Sequence, residues 1–519
     1  MSSSTPDVAA PAADADPPPV RALPNGLAAF LVFFSSGAVL VLETVALRLI
    51  GPYVGVTLQV TSAVIGVALG AIAYGAWAGG WLADRWDPRP MLAPALLLSG
   101  IATAVTLPMV RYAGEVLRGS AVSAVLLLTA LAVFVPAMLL SAVTPLVVKL
   151  QLADLRRTGQ VVGKLSGIGT LGGITATLAT GFVLVAALTS TTIVLATAVA
   201  LGVVGIGLWF YFRRQDGAGK LPGASKLRAG LAVVGLIGAG LTTVAPNPCD
   251  IETAYHCASV DPDPARPDGR SLVLNSAQHS YVDLADPTHL EFAYTQWFGG
   301  VSDVAAPPGA RVDALHIGGG GFTMPRYLAA TRPGTDNVVF EIDGGLVDLS
   351  REKLGLTTGP QLRAEVGDAR MLLVEEPSAS RDVIVGDAFG HLVVPWHLAT
   401  REMAAEVGRV LRPGGVYMQN VIDYGQLRFI RSEAATVAAE FANVALIAPP
   451  AALSGDRNGS NFVIVASDAP LPLEALRTRL DELPEPVRVL AGAEFDEFVG
   501  GALVLTDDFA PVDQLLGAA

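Results

Sequence analysis

The chain has 519 residues, of which 52% are hydrophobic and 16% are charged, and its mean hydropathy is +0.51. This length suits two or three domains, and the net charge of -13 excludes the basic stripe by which proteins bind nucleic acid, so no nucleic-acid partner is expected. The apolar residues are unevenly distributed: long apolar runs fill 27–245, whereas 246–519 has the charge density of a soluble domain.

The N-terminal segment 1–26 is rich in Pro, Ala and Asp without apolar periodicity, which predicts a disordered tail and not a signal peptide. Seven apolar runs follow, each close to the roughly 20 residues that a helix needs to cross the hydrocarbon core. The runs cover about 27–50, 57–83, 91–110, 121–148, 161–187, 190–212 and 228–245. Soluble proteins do not string seven such runs together, so we predict a transmembrane helical domain over 27–246.

Basic residues concentrate in the loops between runs two and three, four and five, and six and seven. The positive-inside rule therefore places the N-terminus in the cytoplasm. With seven spans, everything after residue 245 lies on the other side, and a miscount by one span would reverse this. The first run also contains Glu43 and Arg48, roughly one turn apart, which predicts either a polar pathway or a buried pair because charges inside a bilayer are costly.

The chain has only two cysteines, Cys249 and Cys257, directly beyond the last run. Cysteines this close can form a small disulfide in an oxidising compartment, and two free thiols are the alternative. Zinc is not expected, because His256 and His279 are the only obvious further ligands nearby and a structural zinc site needs four. No metal site is predicted elsewhere.

After residue 246 the pattern changes to strands alternating with helices. Period-two alternation over 271–284 predicts a β-hairpin, within a hairpin and linker subdomain over 247–300. From 301 to 519 we predict a Rossmann-like, doubly wound α/β domain. Its strands are expected at about 312–318, 337–342, 362–367, 382–387, 415–421 and 461–466, and the clearest helix at 397–411. The predicted fold class is thus an all-α transmembrane bundle followed by an α/β domain.

A glycine turn follows the first of these strands in "ALHIGGGGFTMPRYL". Gly318, Gly319 and Gly320 lack Cβ atoms, so the backbone there can approach a ligand closely. The dinucleotide fingerprint is incomplete, because Thr323 occupies the place of its third glycine. The turn therefore favours a nucleoside without a pyrophosphate over NAD.

Carboxylates end the next three strands: Glu341 and Asp343 in "FEID", Asp368 in "VGDAR" and Asp387 in "VGDAFG". Ligands of open α/β sheets bind where the carboxyl ends of the strands meet, so these groups are expected along one edge. Helix N-capping is the alternative for any one aspartate, but not for the set. Several acids suit ribose, adenine and a cation, which together indicate an S-adenosyl sulfonium.

These residues carry a resemblance to a known family. The stretches "HIGGGGFT", "VVFEID", "VGDAR", "DVIVGDAFG" and "LNSAQHSYVDLADPTHLEFAY" resemble the spermidine synthase (polyamine aminopropyltransferase) family over roughly 250–519. The loop "GGWLADRWDPRP" resembles the one after the second helix of the major facilitator superfamily. The whole chain looks like a bacterial fusion of the two, which implies a multi-pass inner-membrane protein. The loop charges and the count of seven spans predict that its C-terminal domain is extracytoplasmic.

The resemblance implies a role for each site residue. The glycine turn would hold decarboxylated S-adenosylmethionine or S-adenosylmethionine as co-substrate, and Asp387 would act as the catalytic base. Binding of ribose and adenine is expected from Glu341, Asp343, Asp368 and Ala369. The substrate pocket is expected to include Gln278, His279 and Tyr294. The cluster of His391, Trp396 and His397 either forms the acceptor wall or only starts a helix.

The chain departs from the family pattern at two places, where Gly321 and Gly390 stand in for family aspartates that help to hold the amine. The first hypothesis is a membrane-anchored transferase that moves an aminopropyl or related alkyl group to an amine. The alternatives are a non-catalytic or transport-coupled binding protein for a polyamine or adenosyl nucleoside, and a SAM-dependent methyltransferase. Expected partners are the lipid bilayer and a small-molecule amine or nucleoside, with a homodimer as one expected assembly.

Overall fold

The structure is a computed structural model that describes residues 22–119, 121–152, 155–216, 238, 240–241, 244–390, 393–455 and 459–516. Six of the described helices are long and apolar enough to cross a membrane, which confirms six of the seven predicted runs as apolar helices. They are α1 (Asn25–Val54), α2 (Gln59–Arg85), α3 (Arg89–Val116), α4 (Val122–Gln151), α5 (Thr158–Ala187) and α6 (Ser190–Gln215). Most of the seventh run, 228–245, and most of the predicted tail over 1–26 fall outside the described residues.

Close backbone contacts at small residues hold the helical half together. A Cβ atom added to Gly172 of α5 would lie 2.2 Å from the carbonyl oxygen of Phe33 in α1. The same atom on Gly75 of α2 would lie 2.1 Å from the carbonyl oxygen of Met138 in α4. Only glycine therefore fits at these two crossings. Such contacts are a usual way for apolar helices to associate where lipid removes the hydrophobic driving force between them.

The predicted buried pair of Glu43 and Arg48 is not formed. The Arg48 guanidinium reaches beyond the end of the bundle, where its Nη2 lies 3.2 Å from Glu252 Oε1 and its Nη1 lies 2.5 Å from the carbonyl oxygen of Ala254. Glu252 and Ala254 belong to the C-terminal half of the chain, so Arg48 joins the two halves. The guanidinium has five N–H donors, and the Glu252 carboxylate and the backbone carbonyl groups beside it accept several of them.

A small antiparallel sheet follows the helices, with strands in the order β1-β2-β3-β4. They are β1 (Ile251–Glu252), β2 (Cys257–Pro262), β3 (Gly269–Leu274) and β4 (Ala277–Asp283). The predicted hairpin is confirmed as β3 and β4, which are joined through Asn275 in a left-handed conformation. The Cys249–Cys257 disulfide is present and spans a Cα–Cα distance of 5.2 Å, linking the chain before β1 to the start of β2.

The rest of the chain forms an α/β domain around an eight-stranded sheet in the order β12-β10-β11-β9-β8-β5-β6-β7. The strands are β5 (Asp313–Ile317), β6 (Asp336–Glu341), β7 (Leu362–Val366), β8 (Arg381–Gly386), β9 (Leu411–Asp423), β10 (Asn443–Ala448), β11 (Ser460–Ser467) and β12 (Arg488–Ala491). The first five run parallel, and β10 to β12 pair antiparallel. All six predicted strands are confirmed, whereas β10 and β12 had not been predicted.

Helices cover both faces of this sheet, as the doubly wound prediction requires. They are α7 (Ala293–Ala305), α8 (Thr323–Thr331), α9 (Gly344–Lys353), α10 (Ala369–Glu375), α11 (Arg401–Val410), α12 (Arg428–Ala438), α13 (Pro450–Leu453), α14 (Leu473–Leu480), α15 (Ala493–Val499) and α16 (Val512–Leu515). The predicted helix at 397–411 is confirmed but begins at Arg401, because the Thr400 hydroxyl caps it by accepting from the Met403 N–H.

Strand order also sets where a ligand can bind. The chain passes from β5 to β6 on one side, and β8 lies on the other side of β5. Helices that leave neighbouring strands in opposite directions open a crevice at their carboxyl ends. The predicted glycine turn follows β5, and Asp387 follows β8, so the two meet at this crevice.

Candidate ligand-binding cleft

A cleft of about 450 Å³ lies at the carboxyl ends of β5 to β8, and β4 and the start of α7 form its other wall. Ten of the residues predicted for the site line it. They are Gln278, His279, Tyr294, Gly318, Gly319, Gly320, Glu341, Asp368, Ala369 and Asp387. The structure therefore brings together residues that the sequence spreads over more than a hundred positions.

The glycine turn after β5 needs glycine for two reasons. Gly318 and Gly320 have φ angles of +94° and +49°, which side chains with a Cβ rarely adopt. A Cβ on Gly318 would also lie 2.4 Å from the carbonyl oxygen of Asp387. The turn thus passes directly beside the residue that follows β8.

Glu341, at the end of β6, is the acid most firmly held by the backbone. Its Oε2 accepts from the N–H groups of Gly319 at 2.8 Å and Gly320 at 3.1 Å, and its Oε1 accepts from the Asp343 N–H at 3.0 Å. The side chain is buried, yet it lines the cleft. The exposed apolar side chain of Ile342 follows it along the same wall.

Asp343 was predicted to bind the ligand, but the structure places it behind the wall. It is 1% exposed, and its Oδ1 caps α9 by accepting from the Gly345 N–H at 3.0 Å. Its Oδ2 accepts from the Thr253 hydroxyl at 2.5 Å and lies 3.0 Å from His256 Nδ1. Because β6 ends at Glu341, the period-two pattern no longer applies two residues later. His256, not predicted for the site, lines the cleft in its place.

Asp368 both caps a helix and lines the cleft, the two roles that were considered for it. Its Oδ1 caps α10 by accepting from the Arg370 N–H at 2.9 Å, while the residue also lines the cleft beside Ala369. Its Oδ2 lies 3.4 Å from Nε2 of His397, which also lines the cleft. His397 belongs to the cluster considered for the acceptor wall or for the start of a helix. A capping aspartate can therefore still present one oxygen to a ligand.

Asp387 lies at the inner end of the cleft, immediately after β8. Its Oδ2 accepts from the Tyr294 hydroxyl at 3.1 Å and its Oδ1 from the Asn420 amide at 2.9 Å. Burial raises the pKa of Asp387 to about 6, although these two hydrogen bonds oppose the shift. Burial also raises the pKa of Tyr294 well above its usual range, so this hydroxyl remains a donor. A carboxylate with a pKa near 6 is ionised at neutral pH and can still accept a proton.

The amides that hold Asp387 were missed in the sequence. Asn420, on β9, donates to Asp387 directly. Asn461, on β11, donates to Asn420 Oδ1 at 2.9 Å and so holds Asp387 only through Asn420. Both are polar residues in otherwise apolar strands, a signal that could have identified them, because buried polar side chains need partners. Trp396 is 53% exposed and does not line the cleft. His391 lies outside the described residues.

The acids of the cleft are not clustered in the way that metal ligands are. Over the described parts of the chain, no group of three or more His, Cys, Asp and Glu side chains is close enough to hold a metal ion. The acids of the cleft instead bind backbone N–H groups, amides and a tyrosine hydroxyl. Such a set suits hydroxyl and amine groups of an organic ligand.

The C-terminal half of the chain is similar in sequence to known proteins. No protein-family model matches the chain. A polyamine aminopropyltransferase of Vibrio vulnificus is 27% identical over 216 residues, which cover 39% of this chain and 69% of that protein. A solved structure of a probable spermidine synthase from Corynebacterium glutamicum is 31% identical and covers 49% of this chain and 94% of that one, with a TM-score of 0.46.

A further solved structure is a spermidine synthase in complex with the transition-state analogue AdoDATO. It is 16% identical, covers 51% of this chain and 85% of that one, and has a TM-score of 0.35. The chain thus joins six apolar helices to a C-terminal half that is similar in sequence to polyamine aminopropyltransferases.

Proposed function

We propose that this protein is a membrane-anchored transferase that moves an aminopropyl or related alkyl group from an S-adenosyl sulfonium to an amine. The observation that carries the proposal is Asp387, held by Tyr294 and Asn420 in the same cleft as the glycine turn and Glu341. The similarity to polyamine aminopropyltransferases supports the same reaction class.

The lining residues fit an adenosyl sulfonium. Glu341 is a buried carboxylate that faces the cleft, where it can accept from ribose hydroxyls. Ile342 offers an apolar surface to a purine, and Asp368 can accept from an amino group at its edge. A bound sulfonium supplies an alkyl carbon whose leaving group is a neutral thioether.

The chain's own contribution to the reaction is positioning and proton transfer. Asp387 accepts a proton from the attacking amine, so that a nitrogen lone pair is free to form the new C–N bond as the C–S bond breaks. Tyr294 and Asn420 each bind one oxygen of this carboxylate and thereby fix its direction. Holding the two reactants in line accounts for most of the rate, since the reaction needs no covalent intermediate with the protein.

The acceptor end of the cleft favours an amine with a single positive charge. Asp387 is surrounded there by the neutral side chains of Tyr294, Asn420 and Asn461. The other acid on that side, Glu291, lies 2.9 Å from His289 Nε2 and is half exposed. Among the described residues at this end, Asp387 is the one buried carboxylate available to balance a dication, whereas the buried Glu341 is committed to the glycine turn. Desolvation of a dication there is therefore unfavourable.

We therefore expect n-butylamine to be used at least as well as 1,4-diaminobutane, with decarboxylated S-adenosylmethionine as donor. The measurement is kcat/KM for the two acceptors of equal length. A G390D variant should raise kcat/KM for the diamine about two- to fivefold, because it adds a carboxylate at an exposed position in the loop that follows Asp387. The matched control is G359D, which adds the same charge in open space away from the cleft. A wild-type preference for the diamine of more than about thirtyfold would contradict the proposal.

The arrangement of the two halves supports the predicted side of the membrane. Arg48 near the end of α1 and Ser190 at the start of α6 both bind Glu252. If all six helices cross, these two residues are on the face opposite the N-terminus, and the C-terminal domain lies there too. Together with the positive-inside rule, this supports an extracytoplasmic domain on an inner-membrane protein.

A further inference from the structure

The segment Glu252–His256, here called the junction segment, contacts the helical half along one side. Arg48 of α1 donates to the Glu252 carboxylate and to the carbonyl oxygens of Thr253 and Ala254. The Ser190 N–H at the start of α6 donates to Glu252 Oε2 at 2.9 Å. Both charged side chains are largely buried, with 19% exposed for Arg48 and 16% for Glu252. The junction segment is therefore fixed to the helices by a charged and directional set of contacts.

The other side of the junction segment supports the cleft. The Thr253 hydroxyl and the His256 ring both bind Asp343 Oδ2, and the Asp343 N–H in turn donates to Glu341 Oε1. His256 itself lines the cleft. A continuous series of hydrogen bonds thus leads from Arg48 in the helical half to Glu341, the acid proposed to bind the ribose.

The covalent structure limits how the junction segment can respond. The Cys249–Cys257 disulfide closes the chain around it, and the Thr253 side chain oxygen also accepts from the N–H groups of Tyr255 and His256. A segment braced in this way transmits a displacement at Glu252 to His256 better than a free loop would. Loss of Arg48 would also leave Glu252 without its balancing charge in a partly buried place.

We propose that Arg48 is a positioning residue for the nucleoside cleft, so that the arrangement of α1 and α6 and ligand binding in the C-terminal domain are coupled. The inference rests on the proposed nucleoside site but adds a role for the helical half beyond anchoring. Coupling is reciprocal: if the helices favour the binding-competent cleft, then the bound ligand favours that arrangement of the helices.

The test uses the full-length protein in lipid nanodiscs with methylthioadenosine as the probe. In calorimetry, R48Q should bind it about tenfold more weakly than wild type, within the usual range of coupling between two sites. R48K, which keeps the charge but not the fork of donors, should be intermediate. The matched control is R118Q, which removes an arginine at the same end of the bundle. Among the described residues, its guanidinium donates to the neighbouring Glu115 and lies 5.5 Å from the centre of the Tyr53 ring, with no hydrogen bond to the junction segment; this variant should bind normally.

Hydrogen exchange gives a readout that a purely structural role would not change. Methylthioadenosine should slow amide exchange at the end of α1 in wild type, and this effect should be lost in R48Q. T253V cuts the same series from the soluble side and serves as the second variant if R48Q does not fold. It should weaken binding by a similar factor.

The outcomes separate the two ideas. If wild type does not bind methylthioadenosine, the proposed function fails. If wild type binds it, while R48Q or T253V binds equally well and exchange at the end of α1 is unchanged by ligand, the coupling is overturned and the proposed function stands.

Discussion

The D387N variant is expected to lose turnover by about three orders of magnitude while binding methylthioadenosine with nearly unchanged affinity. Asn has the shape of Asp, so it keeps an oxygen for the Asn420 amide, and the Tyr294 hydroxyl can turn to meet its other terminal group. The cleft should therefore stay intact while the proton acceptor is lost. Single-turnover rates and calorimetry on the same preparation give the two quantities.

The matched control for this prediction is D382N. Asp382 lies on the same strand, β8, but at its opposite end, where it pairs with Arg412. Its substitution should leave turnover within about twofold of wild type, since Asp382 does not line the cleft. Full turnover by D387N would show that another group removes the proton and would refute the mechanism.

The same carboxylate predicts the pH dependence of the reaction. Burial raises the pKa of Asp387 to about 6, so the group is protonated and unable to act as a base below that pH. The value of kcat/KM should therefore rise with pH through about 6 and then level off, until other groups titrate. The residual activity of D387N should lack this limb. A wild-type profile that is flat between pH 5 and 7 would contradict the assignment.

The second large effect is expected at Glu341. E341Q should weaken methylthioadenosine binding by about 10- to 100-fold, because hydrogen bonds to a charged group contribute about 1.5–3 kcal/mol each. In either orientation the amide would also direct its N–H groups at backbone donors, those of Gly319 and Gly320 or that of Asp343, which now bind carboxylate oxygens. Calorimetry of the full-length protein measures the affinity.

The control for Glu341 is E365Q on the adjacent strand β7. Glu365 is exposed and does not line the cleft, so the loss of its charge should leave the affinity unchanged. Thermal unfolding of both variants separates a loss of binding from a loss of folding. Normal affinity in E341Q would remove the ribose role from this residue and with it the main support for a nucleoside site.

The sequence predicted the features that follow from local pattern. Apolar runs, strand alternation and the glycine turn each depend on neighbouring residues, and the carboxyl ends of parallel strands meet by topology alone. This is why Glu341, Asp368 and Asp387 were correctly expected at one edge. The close pair of cysteines was likewise enough to predict the disulfide.

Features that depend on long-range packing were missed. His256 reaches the cleft from the junction segment, and nothing in its neighbourhood marks it as a cleft residue. Asn420 reaches it from a distant strand, and its polar side chain in an apolar strand was the only local sign. Asp343 was misassigned because its spacing from Glu341 fits a strand, whereas the chain has already turned into a helix cap. The partner of Arg48 lies more than 200 positions away along the chain, so of the two alternatives for Glu43 and Arg48 the buried pair was wrong.

The two glycines that stand in for family aspartates differ in how easily an acid can be regained. A Cβ on Gly321 would lie 2.9 Å from the Ser280 Cβ, so a larger residue there requires a simultaneous change at Ser280. Among the described residues, the nearest heavy atom to a Cβ on Gly390 would be the carbonyl oxygen of Val393, 3.9 Å away. Evolution toward a two-acid acceptor site is therefore epistatic at position 321, whereas position 390 can change in a single step.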